Sequence, residues 1–199
     1  MILLLGTQNQ GKIKELKQLL GDVKGIELVS FFDVAFSQVE EDRDTFYGNA
    51  LLKARAISNH TGLSVLADDS GLEVDALDGA PGVLSARYSG YPVDLDRNNR
   101  LLLQRMKGIR NRRAQFTIVV ALHLTDGREY TEQGSLLGRI AEEPIGEGGF
   151  GYDPLFIPAG YKRTLAQLSL QEKNAISHRQ EAIGKMKVTL AKIANKETS

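Results

Sequence analysis

The apolar run Ile2-Leu3-Leu4-Leu5 stops at Gly6, and by Gln10 a helical pattern has begun. A short apolar run bounded by glycine reads as a buried strand. Gln10 to Leu20, with Ile13, Leu16, Leu19 and Leu20 on one side, reads as a helix. The alternation recurs along the chain. Ile26 to Phe32 is a second strand, and Thr45 to His60 is helical, with Ala50, Leu51, Ala54 and Ile57 at helical spacing and Thr45 as N-cap. Ser64 to Ala67 reads as a short buried strand that runs straight into Asp68-Asp69-Ser70-Gly71. Asp94 to Met106 is helical, and two alternating stretches, Ala114 to Thr125 and Arg128 to Leu136, flank the hairpin signal Asp126-Gly127. One long helix, Gln171 to about Ala194, closes the chain behind the capping box of Ser169 and Glu172. Its core stripe is Ile176, Ile183, Met186, Leu190 and Ile193. This mixture specifies an α/β fold, a mixed central sheet with flanking helices. Without repeats or linkers, residues 1–199 read as a single domain.

Composition narrows the function. The chain has no cysteine, which excludes a disulfide framework, a thiolate metal site and a cysteine nucleophile. No apolar run reaches the length that crosses a bilayer and the N-terminus lacks a signal-peptide layout, so a cytoplasmic protein with no membrane partner is expected. Equal numbers of basic and acidic residues, 25 each, argue against a nucleic-acid-coating role. That balance is uneven along the chain. Between Asp33 and Asp96 there are 12 acidic residues and 4 basic ones, while residues 97–199 hold 17 basic and 10 acidic. The asymmetry is either solvated surface or an acidic segment for a cation set against basic segments for an anion.

Three stretches can carry chemistry. Gly6-Thr7-Gln8-Asn9-Gln10-Gly11-Lys12 matches the G-x-x-x-x-G-K spacing of a P-loop, but Ile13 stands where that loop needs a hydroxyl for magnesium. What survives is a strand-to-helix turn whose free backbone N–H groups attract phosphate, with Lys12 adding a cation; the alternative is an ordinary helix start. Glu40-Glu41-Asp42-Arg43-Asp44 either complements a helix N-terminus or joins Asp68-Asp69 at a cation. Neighbouring residues on a strand point to opposite faces, so one of the Asp pair serves the metal and the other orients a water or a loop. Gly146 to Pro154 packs four glycines around Phe150, Tyr152 and Asp153. It is either a ligand loop offering a ring for a base, or a tight turn whose aromatics enter the core. On the last helix Lys173 and His178 lie about 140° apart around the axis; they either address different parts of one ligand or are a surface lysine and a solvated or core histidine.

In order, Thr7-x-Asn9-x-x-Lys12, Thr45-Phe46-x-x-Asn49-Ala50-x-x-Lys53-Ala54, Ala67-Asp68-Asp69-Ser70-Gly71-Leu72 running on to Gly79-Ala80-Pro81-Gly82 and Ser85-Ala86-Arg87-Tyr88, Gly148 to Pro154, and Glu172-Lys173-x-x-Ile176-Ser177-His178-Arg179 resemble the inosine triphosphate pyrophosphatase family over essentially the whole chain. The resemblance implies Mg2+-dependent hydrolysis of the α–β phosphoanhydride of ITP, dITP and XTP, two lobes around a substrate cleft, and a homodimer. It makes Asp69 the proton acceptor and a metal-side acid, with Glu41 and Glu40 as the others. The loop Thr7, Gln8, Asn9, Gln10, Gly11 and Lys12 receives phosphate, with Lys173 on the triphosphate side and Ser70 a nucleotide contact. Phe150, Gly151, Tyr152, Asp153, His178 and Arg179 surround the base. Two positions depart from the family pattern: Gln8 replaces a usual glycine and Gly48 a frequent glutamate.

Overall fold

The computed structural model describes residues 1–197, with side chains through Asn195. Strand β1 (Ile2–Leu5) leads into helix α1 (Gln10–Leu20), and β2 (Glu27–Val29) returns parallel to β1, pairing Leu28 with Leu3. Helix α1 starts where it does because Asn9 caps it: its Oδ1 accepts the Lys12 N–H at 3.1 Å, satisfying a donor that the helix cannot. Thr45 does the same for α2 (Phe46–Thr61), accepting the Gly48 N–H at 3.0 Å. β3 (Ser64–Val74) lies parallel to β1 on its other side, and α3 (Leu95–Arg105) follows an Asp94 cap. β4 (Arg113–His123) and β5 (Glu129–Ile140) form the expected hairpin, whose turn places Gly127 at φ 87°. β6 (Phe156–Pro158) pairs antiparallel with β5, and α4 (Leu170–Ile176) and α5 (His178–Glu197) end the described chain. The strands hydrogen-bond in the order β2-β1-β3-β4-β5-β6, so the sheet is mixed. No helix among the described residues is long and apolar enough to cross a membrane.

The chain divides into two compact units. The first comprises Met1–Asp69, Ile118–Gly134 and the chain from Gln180 onward; the second comprises Ser70–Thr117 and Ser135–Arg179. In the first, Leu3, Leu5, Leu66, Ile118 and Val120 of the strands pack against Ile13 and Leu16 of α1 and Ile183, Met186 and Leu190 of α5. Each such buried side chain contributes roughly 1.5–3 kcal/mol. In the second, Leu72, Val74, Leu102, Met106, Ile140 and Phe156 form a separate cluster.

Two expectations are corrected. β3 does not end at Ala67 but continues through both aspartates to Val74. Carboxylates at 2% and 5% exposure can sit inside a strand here because each faces its own partner on its own side of the sheet, so neither ends the pairing. The closing helix is two helices, because Ser177 takes an extended conformation (φ −70°, ψ 146°) between α4 and α5. The capping box of Ser169 and Glu172 is present at the start of α4 as expected. Ile176 consequently packs in the second unit's core, while Ile183 onward serves the first.

Arg55 of α2 grips Glu129 of β5 with two bonds, from Nε at 2.6 Å and Nη2 at 2.5 Å, and His123 Nδ1 lies 2.8 Å from the same carboxylate. The hydrogen bonds from Arg55, aided by His123 and opposed by burial, bring the Glu129 pKa down to about 2. A carboxylate held below its unfolded value stabilises the fold above that value and loses the contribution as pH falls through the folded one. Arg55 is half-exposed, so the gain is modest. The Tm gap between wild type and Glu129→Gln should therefore be widest above about pH 4.5 and close toward about pH 2; calorimetry showing a constant gap would contradict this.

Candidate active site

In the first unit, Asn49 and Lys53 reach Asp69, and Lys53 links it to Glu41. The fully buried Asn49 donates from Nδ2 to Asp69 Oδ2 at 2.9 Å. The same amide clasps the acidic loop, accepting the Arg43 N–H at 2.9 Å and donating to the Arg43 carbonyl at 3.2 Å. One helical turn on, Lys53 places its Nζ 2.5 Å from Glu41 Oε1 and 4.0 Å from Asp69 Oδ1. On the other face of β3, Lys12 Nζ meets Asp68 Oδ2 at 2.6 Å. Burial raises the Asp69 pKa, with Glu41 adding to the rise while Lys53, the Asn49 bond and Lys12 oppose it. Lys53 is shifted up: burial pulls it down, but the charges of Asp68, Glu41 and Asp69 outweigh that. An unusually basic carboxylate beside cations suits proton acceptance near phosphate.

The loop before α1 uses its own polar groups first. Thr7 Oγ1 accepts the Asn9 N–H at 3.2 Å, and Gln8 Nε2 donates to the Phe36 carbonyl at 3.0 Å. Gln8 does not adopt a positive φ, so its replacement of a glycine carries no backbone strain. Gln10 and Gly11 are exposed in the first turn of α1. Ile13 is buried in the core, so no hydroxyl stands at the P-loop's metal position. Gly48 has a local cause: a Cβ there would lie 2.9 Å from the Arg43 Cβ, which occupies that space.

In the second unit, Asp153 Oδ2 accepts both the Phe150 N–H at 2.8 Å and Lys173 Nζ at 2.7 Å. Lys173 Nζ also lies 4.6 Å from the centre of the Phe150 ring, which is 41% exposed. The turn closes this tightly because Gly149, at φ 75°, has no Cβ; one would lie 2.0 Å from Asp153 Oδ2. Lys173 thus pairs with Asp153 and Phe150, two of the residues implied for the base. Tyr152 enters the core and donates to the Ser85 carbonyl at 2.9 Å, so of the two aromatics only Phe150 offers a face to solvent. The Gly151 carbonyl is held by Asn99 at 3.0 Å. Buried His178 stacks on Phe116, centroids 5.2 Å apart at 10°, and Arg179 beside it is buried; Ser70 is half-buried. Since His178 opens α5, the 140° separation from Lys173 expected of one helix does not apply.

Glu40, next to Glu41 on the acidic loop, is exposed. Asn49, Lys53 and the role of Asp68 toward Lys12 are what the sequence reading missed. The available signal was the polar pair Asn49 and Lys53 at i and i+4 among Ala50, Leu51 and Ala54 of α2. No cluster of three or more His, Asp or Glu with metal-holding geometry occurs among the described residues. Magnesium needs no such cluster: it takes one or two carboxylates and fills its remaining positions with water and substrate oxygens. Glu41 and Asp69, already facing one cation, fit that requirement.

Residues 3–189 match the model of the Ham1 family. A protein of Desulforamulus reducens named dITP/XTP pyrophosphatase is 50% identical over 188 residues, 93% of each chain. Another of that name from Corynebacterium efficiens is 45% identical, covering 98% of this chain and 99% of its own. Among solved structures, a HAM1 protein from Coxiella burnetii superposes with a TM-score of 0.89 at 38% identity, covering 96% of this chain and 99% of that one. The Staphylococcus aureus Ham1 protein gives 0.87 at 38%, covering 96% and 98%.

Proposed function

The chain belongs to the Ham1 family, and from that premise we propose that it hydrolyses dITP, ITP and XTP to the nucleoside monophosphate and pyrophosphate, with Mg2+ as its cofactor. The relatives' printed name, dITP/XTP pyrophosphatase, supports the substrate class. The observation that carries the chemistry is the grouping of buried Asp69 and Asn49 with the partly buried Lys53 and Glu41.

Asp69, its carboxylate held in place by the Asn49 bond, accepts a proton from the attacking water. Glu41 and Asp69 would hold magnesium, which when bound neutralises phosphate oxygens; Glu40 is a further donor on the same loop. Lys12, the Asn9 amide and the free N–H groups at the start of α1 attract the phosphates, and Lys53 adds positive charge where the transition state gains negative charge. In the second unit, Phe150 presents a ring on which a purine stacks, beside Asp153 and Lys173. Donors from Arg179, His178 or nearby backbone favour a 6-oxo group and leave adenine's 6-amino group mismatched, an effect far larger than shape alone gives. Ser70 contacts the nucleotide.

The test is a panel of dITP, XTP, ITP, GTP and ATP with Mg2+, with products separated. Monophosphate and pyrophosphate from the first three, little turnover of ATP, and loss of all turnover in EDTA are expected. Release of orthophosphate with a diphosphate product would assign the cleavage to the wrong bond and overturn the proposal. A cytoplasmic homodimer without nucleic-acid or membrane partners belongs to the same proposal, and sedimentation equilibrium reads its mass.

A further inference from the structure

We propose that Lys53 is a built-in stand-in for the divalent cation: its ammonium holds Glu41 and Asp69 together and leaves them when the metal arrives. The inference rests on the reading that this acid pair serves a metal, and adds an exchange between that metal and the chain's own cation.

The geometry argues for competition rather than cooperation. Lys53 Nζ already bonds Glu41 Oε1 at 2.5 Å and faces Asp69 Oδ1 at 4.0 Å, the oxygens a divalent ion would take. An ammonium and a divalent cation cannot share oxygens at that range without strong like-charge repulsion. Asn49 fixes Asp69 through the other oxygen, Oδ2, and grips both backbone groups of Arg43, two residues from Glu41. Asp69 and the backbone near Glu41 are therefore held independently of Lys53, whose ammonium bridges only the two carboxylates. A lysine is a point charge on a flexible four-carbon stem, so the ammonium can swing away while its backbone stays in α2. Lys12 differs: its partner is Asp68, on the opposite face of β3, and it takes no part in the exchange.

The test titrates Mn2+ alone, without nucleotide, into wild type and Lys53→Met by calorimetry. If Lys53 competes, the variant binds Mn2+ at least about fivefold more tightly, the factor that one unit charge at 4 Å makes even in bulk water. If the lysine only shapes the site, its loss weakens binding or leaves it unchanged; either result overturns the proposal, as does absence of Mn2+ binding to both proteins. Should Lys53→Met not fold, wild type supplies a second measurement. The Lys53 ammonium NMR signal, slowed in exchange by its bond to Glu41, should disappear on saturation with Mg2+ while that of Lys12 persists; persistence of both overturns the exchange. Pyrophosphate release from dITP by the same wild-type preparation is followed in parallel. Its absence counts against the pyrophosphatase reading alone, because the metal titration needs no substrate.

Discussion

Asp69→Asn is expected to lower kcat for pyrophosphate release by about 10²–10⁴-fold, the range for removing a positioned acid or base. KM for dITP should stay within a few-fold of wild type. The substitution preserves volume, and the oxygen of the introduced amide can still accept the Asn49 Nδ2 bond that now reaches Asp69 at 2.9 Å. It also removes a carboxylate that burial and Glu41 push against ionisation, so Tm should hold or rise. A rate loss without a stability loss is the signature of a chemical role. Steady-state kinetics with unchanged turnover would remove Asp69 from the proton-transfer step.

The largest stability effect is expected at Lys12. Its ammonium is the 2.6 Å partner of Asp68, whose side chain is 2% exposed. Lys12→Met leaves that buried carboxylate without its bonded cation. Removing one member of such a pair typically costs about 3–5 kcal/mol, and the lower figure, about 3 kcal/mol, applies here because Lys53 also feels Asp68. For a chain of this size that corresponds to a Tm decrease of roughly 6–12 °C. Adding Asp68→Asn to Lys12→Met should recover most of the loss, since the stranded charge is then gone. Equal melting of the single and double variants in thermal denaturation would show that Lys12 stabilises α1 in some other way.

Much of this architecture was legible in the residues themselves. Helix α1 runs from Gln10 to Leu20 as its periodicity states, because Asn9 supplies a cap and apolar residues keep helical spacing behind it. The β4–β5 hairpin was equally plain, since Asp126-Gly127 supplies a left-handed turn between two alternating stretches. Where the sequence misled, tertiary partners had overruled local character. Asp68 and Asp69 read as the end of a strand, and Lys12, Asn49 and Lys53, all distant in sequence, help them stay inside it. The break at Ser177 hid inside a continuous apolar stripe that serves two cores. Its signal was the S-x-x-Q pattern of Ser177 and Gln180, a second capping motif eight residues after the first. Asn49, which ties Asp69 to the acidic loop, stood in a quoted motif of α2 but was given no role, because its partners lie far from it in sequence.

The alternation along β3 also sets how this chain can change over evolutionary time. Side chains on a strand have a period of two, so a single inserted or deleted residue before Asp68 would exchange the faces of both aspartates. Asp69 would then turn toward the Lys12 side and Asp68 toward Asn49, and Leu66 would rotate out of the first unit's core together with them. Substitutions along β3 can be tested by selection one at a time, whereas a one-residue length change miswires catalysis and core in the same event. Length variation among functional relatives should therefore collect in the connections and spare the stretch from Ser64 to Asp69.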